Sequence, residues 1–542
     1  MQEAVERLRA AGKLPAAAAE CPVELSEPPN PERGDYATNF AMVAAGHLDK
    51  PPRETATLLA ERLREDDAIE SVEVAGPGFV NIRLKNAYLA RWAVKAQQAG
   101  ESIAKLEKDR PEKVLVEFVS VNPNGPIHLG HGRGAAYGDT LARILESAGD
   151  EVGREFYVND GVNSQQMQLF ALSVQAKYRE LLGLEFEFPE EGYGGDYVGA
   201  LAAQIRELHG DSHAGDGPEF FQSASQKLMI EGQRADLERF GVRFDTWFSE
   251  QALHDSGEVN AAIETLKQNR YAYEEDGALW LKSTAFGDDK DRCIVRSNGR
   301  MTYIASDIAY HKNKFDRGFD RLINVWGADH HGYIARTRAA IEALGYPGDR
   351  FDVAITQIVR FLRDGKVAPM AKRTGEMIPL AELMDEVGVD VTRFFYLMRS
   401  HDSHMDFDID LAKEHSEKNP VFYVQYAHAR ICSLLKKAEE AGLASDPEHA
   451  ERLVHPSERA LIKKIWDLPF EVRRSADDRE VHRLTTYAVE LARQYHDFYE
   501  KCRVISPEEP ERSSARLLLC EATLTTLRAA FNLLGISAPE RM

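Results

Sequence analysis

The sequence predicts a multidomain α/β protein: a doubly wound parallel-sheet domain with an insertion, between an N-terminal α+β module and a C-terminal all-helical bundle. Three observations predict it. Residues 114–158 read as one complete βαβ unit, strand and helix patterns then alternate to about residue 379, and from 380 onward strand signals vanish while apolar residues keep helical spacing. The chain has 542 residues, room for about three or four domains, and 43% hydrophobic with 29% charged residues is ordinary for a globular protein.

Residues 1–108 form the first expected module. Helical patterning at the start turns at PPNPERGDYATN (28–39) and resumes through AMVAAGHL and ETATLLAERL; VEVAGPGFVNIRL (72–84) then alternates about Gly76-Pro77-Gly78, which predicts a hairpin. Charged ESIAKLEKDRPE (101–112) is the linker to a second domain, 109–379. There Val114–Val119 is a strand rich in β-branched residues, and Leu141, Ile144, Leu145 and Ala148 follow at helical spacing up to a capping Gly149. Gln165–Leu182 is a helix expected to pack in the core. The acidic, glycine-rich stretch from 183 to about 244 is an insertion. The sheet should resume with Ala278–Leu281, Cys293–Val295, Thr302–Ile304 and Leu322–Trp326, with ligands at the carboxyl ends of the strands. Residues 380–542 complete the chain as a helical bundle.

Bulk properties exclude several functions. A formal net charge of −21 opposes indiscriminate binding to nucleic acid or acidic membranes, so a polyanionic partner must meet a locally basic face. Such a face is available in the bundle, where Lys436, Lys437, Lys463, Lys464, Arg473, Arg474, Arg483, Arg493, Lys501 and Arg503 accompany Tyr423, Tyr426, Tyr495 and Tyr499. Cations for phosphates and rings for unstacked bases suit a single-stranded RNA loop, although a solvated helix face with buried rings explains most of these residues singly. Cys21, Cys293, Cys432, Cys502 and Cys520 are scattered, odd in number and contain no CxxC pair, which leaves a zinc knuckle and a disulfide framework unsupported. With no apolar run of spanning length, the expected setting is the reducing cytoplasm, without a membrane.

The loop of the βαβ unit carries the chemistry. His128, Leu129, Gly130 and His131 feed the helix, so a phosphate can approach backbone N–H groups at the positive end of the helix dipole. Gly130, Gly132 and Gly134 keep that approach clear, and the two imidazoles can donate to charge growing on phosphate. In isolation HxGH is a weak motif, and a plain strand-to-helix turn with solvated histidines is the favoured reading of it.

VNPNGPIHLGH (121–131), preceded by EFVSVNP, resembles the HIGH region of class I aminoacyl-tRNA synthetases, and of arginyl-tRNA synthetases in particular. FDRGFDRLINVWGADHHGY (315–333), EVGVDVTRFFYLMRS (386–400), YVQYAHAR (423–430) and the terminal LGISAPERM resemble the same family. The resemblance implies a Rossmann-like catalytic domain, an anticodon-binding helical domain, and an N-terminal module that either contacts the outer corner of tRNA or only stabilises the chain. It implies arginine–tRNA ligation: L-arginine attacks the α-phosphate of ATP, and arginyl adenylate passes its acyl group to tRNA-Arg. ATP would meet Asn124, Gly125, His128, Gly130, His131 and Lys372; arginine would meet Glu117, Ser120, Asn122, Glu250, Tyr303, Asp307 and His330. Asn122 is expected at the amino-acid backbone, and Glu250 and Asp307 at the guanidinium, whose fixed charge and planar donors call for carboxylates. Tyr303 and Asp307, four apart, share one face if the chain there is helical.

VAPMAKRTGEM (367–377) aligns with the family's KMSKS loop but departs from it. Pro369-Met370-Ala371-Lys372-Arg373 stands where relatives carry KMSKR, and Gly125 stands where relatives lacking that motif place a lysine. Lys372 and Arg373, with His128 and His131, are therefore the expected compensation for pyrophosphate. Asp329-His330-His331 has no third ligand cluster beside it, so no protein-bound zinc is expected; Mg2+ would come with ATP. The chain is expected to act as a monomer.

Overall fold

The computed structural model describes residues 1–28, 30–48, 50–161, 164–371 and 377–542. It divides into two compact units, neither of them one continuous stretch. Met1–Gly100 joins Ser433–Trp466 and Gln494–Thr525, while Glu101–Cys432 joins Asp467–Arg493 and Thr526–Met542.

In the first unit, strands Tyr36–Thr38, Phe79–Leu84 and Ile69–Ala75 lie side by side in that order, antiparallel throughout. The latter two are the expected hairpin, which turns where Gly76 takes φ 52°. The α+β module shares its unit with helical segments from far along the chain. Buried Asp35 accepts Arg459 at 2.7 Å and the Leu84 amide at 2.8 Å, and Trp466 Nε1 donates to the Trp92 carbonyl at 2.9 Å. Lys463 donates to Glu27 at 2.6 Å and to the Asp35 carbonyl at 3.1 Å, so this candidate cation of the helical region is buried in a protein contact. Tyr495, one of the candidate base-stacking rings, is fully buried at 0%, the alternative that the sequence left open.

The second unit is organised by five parallel strands: β1 (Lys113–Glu117), β2 (Glu151–Val158), β3 (Thr246–Ser249), β4 (Arg321–Gly327) and β5 (Phe351–Thr356), in the spatial order β5-β4-β1-β2-β3. The order reverses between β1 and β4, the switch point beyond whose carboxyl ends a doubly wound sheet binds its ligands. Val114, Leu115 and Val116 are all buried, as a central strand covered on both faces requires. Helix α1 (Leu129–Ser147) makes the crossover and ends as expected, with Gly149 at φ 99°. Its approach to the sheet needs Gly138, because a Cβ there would collide with the Phe118 ring.

Between β2 and β3 the chain forms α2 (Gln165–Leu181), α3 (Asp196–His209) and α4 (Pro218–Arg239) around one apolar core that includes Phe170, Val174, Tyr178, Val198, Ile205 and Phe221. The helix expected to pack in a core does so, with the insertion helices.

Three strand expectations are corrected. Ala278–Leu281 and Arg292–Val295 are strands, but with Ala272–Glu275 they form a separate antiparallel sheet instead of extending the parallel one. The signal was present: Asp276-Gly277, at φ 51° and 75°, is a two-residue hairpin turn. Thr302–Ile304 is not a strand at all. Thr302 precedes helix α5 (Tyr303–Asp316), and the repeat Ala305, Ile308, Ala309 buries one helical face, which overrides the β preference of a Thr-Tyr-Ile triplet.

Helix α6 (Ile334–Ala343) lies between β4 and β5, and past β5 the strands Val359–Arg363 and Lys366–Ala368 pair across a turn at Asp364-Gly365. The region after 380 is helical apart from Met405–Asp408, which pairs parallel to Val359–Leu362. Helix α7 (Val389–Leu397) lies on α1, where buried Arg393 donates to Asp139 at 2.6 Å and to the Phe240 and Leu534 carbonyls at 3.0 and 3.1 Å. The last helix, α8 (Pro510–Leu534), is long and apolar enough to cross a membrane, which the sequence reading missed, yet 78% of its apolar window is buried within the protein.

Candidate active site

Beyond Glu117 the backbone leaves β1 under strain. Val119 has φ 71° and Ser120 φ 45°, left-handed conformations that a β-branched residue avoids and that surrounding contacts must impose. Those contacts are specific. Ser120 Oγ accepts the Tyr157 amide at 3.1 Å and donates to Glu117 Oε1 at 3.0 Å. Glu117 is itself paired with fully buried Lys314, whose Nζ also donates to Asn324 Oδ1 at 3.2 Å. Glu117 and Ser120, both expected at arginine, are thus each engaged by protein partners. Nothing in the sequence marked Lys314, because its partner lies 197 residues away.

The loop that follows is gripped from the insertion. Asn122 Nδ2 donates to Gln166 Oε1 at 2.8 Å, Asn124 Nδ2 to the Tyr193 hydroxyl at 3.0 Å, and the Tyr197 hydroxyl to the Asn124 carbonyl at 2.9 Å. Gln233 Nε2 donates to the carbonyls of Asn122 at 3.0 Å and Gly125 at 2.7 Å.

At the start of α1 the two histidines act together. His128 is the N-cap and its Nδ1 accepts the Gly130 amide at 3.1 Å, while His131 Nδ1 accepts the His128 amide at 3.4 Å. Their rings stack with centroids 3.5 Å apart. Burial lowers the affinity of His128 for a second proton; burial and then the neighbouring His128 push His131 down to about 3. Both are neutral near pH 7, and since each Nδ1 accepts a backbone N–H, the remaining proton sits on Nε2, free to donate to an anion. The glycines divide by role. Gly130 stays beside the rings, but a Cβ on Gly132 would stand 2.7 Å from Tyr396 and 2.9 Å from Leu380, so Gly132 serves helix packing instead of ligand approach. Arg133, which the sequence reading left unassigned, is buried and donates to the carbonyls of Gln357, Ser400 and Ser403 at 2.9, 2.7 and 2.8 Å.

Lys372 and Arg373 lie outside the described residues. On either side, Ala371 pairs with Met377, the Leu129 amide donates to the Ile378 carbonyl at 3.0 Å, and the Leu380 amide donates to the Ile127 carbonyl at 2.7 Å. Both flanks of that segment thus adjoin the histidine loop.

Carboxylates from separate elements converge on the other side of the switch point. Glu250 opens the helix after β3, and Asp307 projects from the second turn of α5. Burial, followed by the charges of Glu250 and Glu117, pushes the Asp307 carboxyl up to about 7, against the pull of Lys314 and Arg336. Burial likewise raises Glu250, eased by His254 and a hydrogen bond from Ser306. Glu250, Asp307, Glu117 and Asp160 also hold the Tyr157 phenol protonated, after burial. Such crowding of acids calls for a cationic ligand. Tyr303 stands on the face of Asp307, as the four-residue spacing implied, and is 80% exposed at the start of α5. His330 follows the end of β4, half-exposed, 3.3 Å from Asp329. Among the described residues no group of three His, Cys, Asp or Glu side chains could hold a metal ion.

A doubly wound sheet whose crossover helix opens on paired histidines at the switch point has the fold of a class I aminoacyl-tRNA synthetase. Residues 94–395 match the family profile described as tRNA synthetases class I (R), catalytic domain; residues 2–84 match the arginyl tRNA synthetase N terminal domain, and 424–542 the DALR anticodon binding domain. The chain is 47% identical over 532 residues to the arginine–tRNA ligase of Heliobacterium modesticaldum, covering 96% of this chain and 94% of that protein. It is 46% identical over 527 residues to the arginine–tRNA ligase of Bacillus subtilis, with 96% and 94% covered. The solved arginyl-tRNA synthetase of Thermus thermophilus has the same fold, with a TM-score of 0.77 at 24% identity over 100% of this chain and 99% of that one. The chain belongs to the arginyl-tRNA synthetase family.

Proposed function

We infer that the protein is an arginine–tRNA ligase, and that the acidic pocket formed by Glu250 and Asp307 beside the His128–His131 pair is where arginine meets ATP. What supports the reading is the crowding of carboxylates: burial and the charges of Glu250 and Glu117 drive Asp307 up to about 7 in spite of Lys314 and Arg336, and a guanidinium placed there offsets that charge. The arginine carboxylate attacks the α-phosphate, pyrophosphate departs, and the adenylate then acylates the terminal ribose of tRNA-Arg. Neutral His128 and His131 donate through Nε2 to the growing phosphate charge, and Lys372 and Arg373 meet the departing pyrophosphate. Asn122, Tyr303 and His330 bound the amino acid, with Glu117 and Ser120 beneath it, and Asn124, Gly125 and Gly130 line the nucleotide loop. Mg2+ accompanies the triphosphate, held mainly by phosphate oxygens, and no zinc is required.

In the division we propose, residues 109–379 activate arginine, 380–542 read the anticodon region and 1–108 contact the tRNA body; the separate family matches support it. A net charge of −21 favours a soluble monomer, and five free cysteines suit the reducing cytoplasm. Pyrophosphate exchange in the presence of tRNA-Arg tests the core of the reading: exchange should depend on arginine and fail with citrulline, which keeps the shape and loses the charge. Equal exchange with citrulline would refute the charge-based pocket.

A further inference from the structure

We propose that Gln233 is a positioning residue for both substrates: from α4 it fastens the two ends of the loop Asn122–Gly125 and so sets the path of the chain into the histidine cap. The inference rests on the reading above that this loop meets arginine and ATP.

Gln233 is 1% exposed, and its amide nitrogen donates to the Asn122 carbonyl at 3.0 Å and the Gly125 carbonyl at 2.7 Å. Both N–H bonds of the amide are thereby used. Its Oε1 is buried and has no hydrogen-bond partner among the described residues. A residue kept only to fill the core would not leave a buried acceptor unmatched, since that costs more than an apolar side chain of the same size. The side chain is there for its donors. The loop needs them, because it lies in no helix or strand and follows the strained Val119–Ser120 pair, so its carbonyls have no ladder to join. Gln166, Tyr193 and Tyr197 hold the intervening side chains and carbonyl from the same insertion, and Gln233 ties the arginine end to the nucleotide end.

Two isosteric changes separate positioning from packing. Gln233→Met keeps the volume and removes both donors; Gln233→Glu keeps the shape but, when ionised, sets an acceptor against two carbonyl oxygens. In arginine-dependent pyrophosphate exchange on the full-length protein with tRNA-Arg present, each variant should raise KM for ATP and for arginine and lower kcat, by about 10-fold in kcat/KM or more. The glutamate should be no better than the methionine. Tyr197→Phe, which removes one hydroxyl from the same loop, should give a smaller loss in the same direction, and it decides the matter if the Gln233 variants do not fold. Variants that are folded by circular dichroism and keep wild-type KM for both substrates would overturn the proposal. A wild-type protein without arginine-dependent exchange in the presence of tRNA-Arg would overturn the functional reading as well, so the two failures are distinguishable.

Discussion

Replacing Asp307 by asparagine should damage the enzyme and stabilise the protein at once. In the folded chain the Asp307 carboxyl is driven from its ordinary 3.8 up to about 7. The sign follows from linkage. Between these two values the unfolded chain has released the proton and the folded chain has kept it, so stability falls as pH rises through that window, and above 7 the full penalty applies. At about 1.36 kcal/mol per tenfold change in proton affinity the penalty is about 4 kcal/mol, and allowing for solvent that reaches this half-buried group leaves about 2 kcal/mol. Asp307→Asn should therefore raise stability at pH 8 by about 2 kcal/mol, a gain of roughly 2 to 4 °C in the melting of the catalytic unit, and should give no gain at pH 4. Arginine binding should move the opposite way, because the guanidinium loses its anion: KM for arginine should rise about 100-fold or more while KM for ATP stays within a few-fold. Wild-type arginine affinity should weaken as pH falls below 7, with proton release on binding seen by calorimetry in buffers of different ionisation enthalpy. An asparagine variant no more stable than wild type at pH 8, or equally stabilised at pH 4, would refute the picture of a carboxylate held in waiting for a cation.

Three further outcomes follow from the site. Glu250→Gln should weaken arginine far more than ATP, by a smaller factor than Asp307→Asn because His254 and Ser306 already ease its charge; equal effects on both substrates in steady-state kinetics would count against it. Gly132→Ala should cost about 1 to 3 kcal/mol in denaturant unfolding, since its Cβ meets Tyr396 and Leu380, while Gly134→Ala, with its nearest neighbour Thr356 at 3.9 Å, should be neutral for stability. Lys372→Ala should slow adenylate formation by about two to three orders of magnitude with little change in arginine affinity, as measured by rapid quench; a rate within a few-fold of wild type would mean that another residue meets the pyrophosphate.

The amino-acid sequence determined what local physics can write. Strand β1, helix α1 with its Gly149 stop, the hairpin at Gly76 and the turn at Asp364-Gly365 all follow from periodicity and turn chemistry within a dozen or so residues. The histidine loop was legible because its residues are contiguous, and the family because its segments recur in order along the chain. Where local signals competed, as at Thr302–Ile304, the burial of a helical face decided, and that depends on what lies opposite. Only the tertiary structure could say that Lys314 neutralises Glu117, that Asp35 is held by Arg459 more than 400 residues away, that Gly132 yields to Tyr396 and that Gln233 grips the nucleotide loop. Each of these is a pairing of buried polar or tightly packed groups between distant elements. A charge costs energy when buried alone and loses that cost only when a particular partner arrives, and which partner arrives is settled by the path of the chain through space.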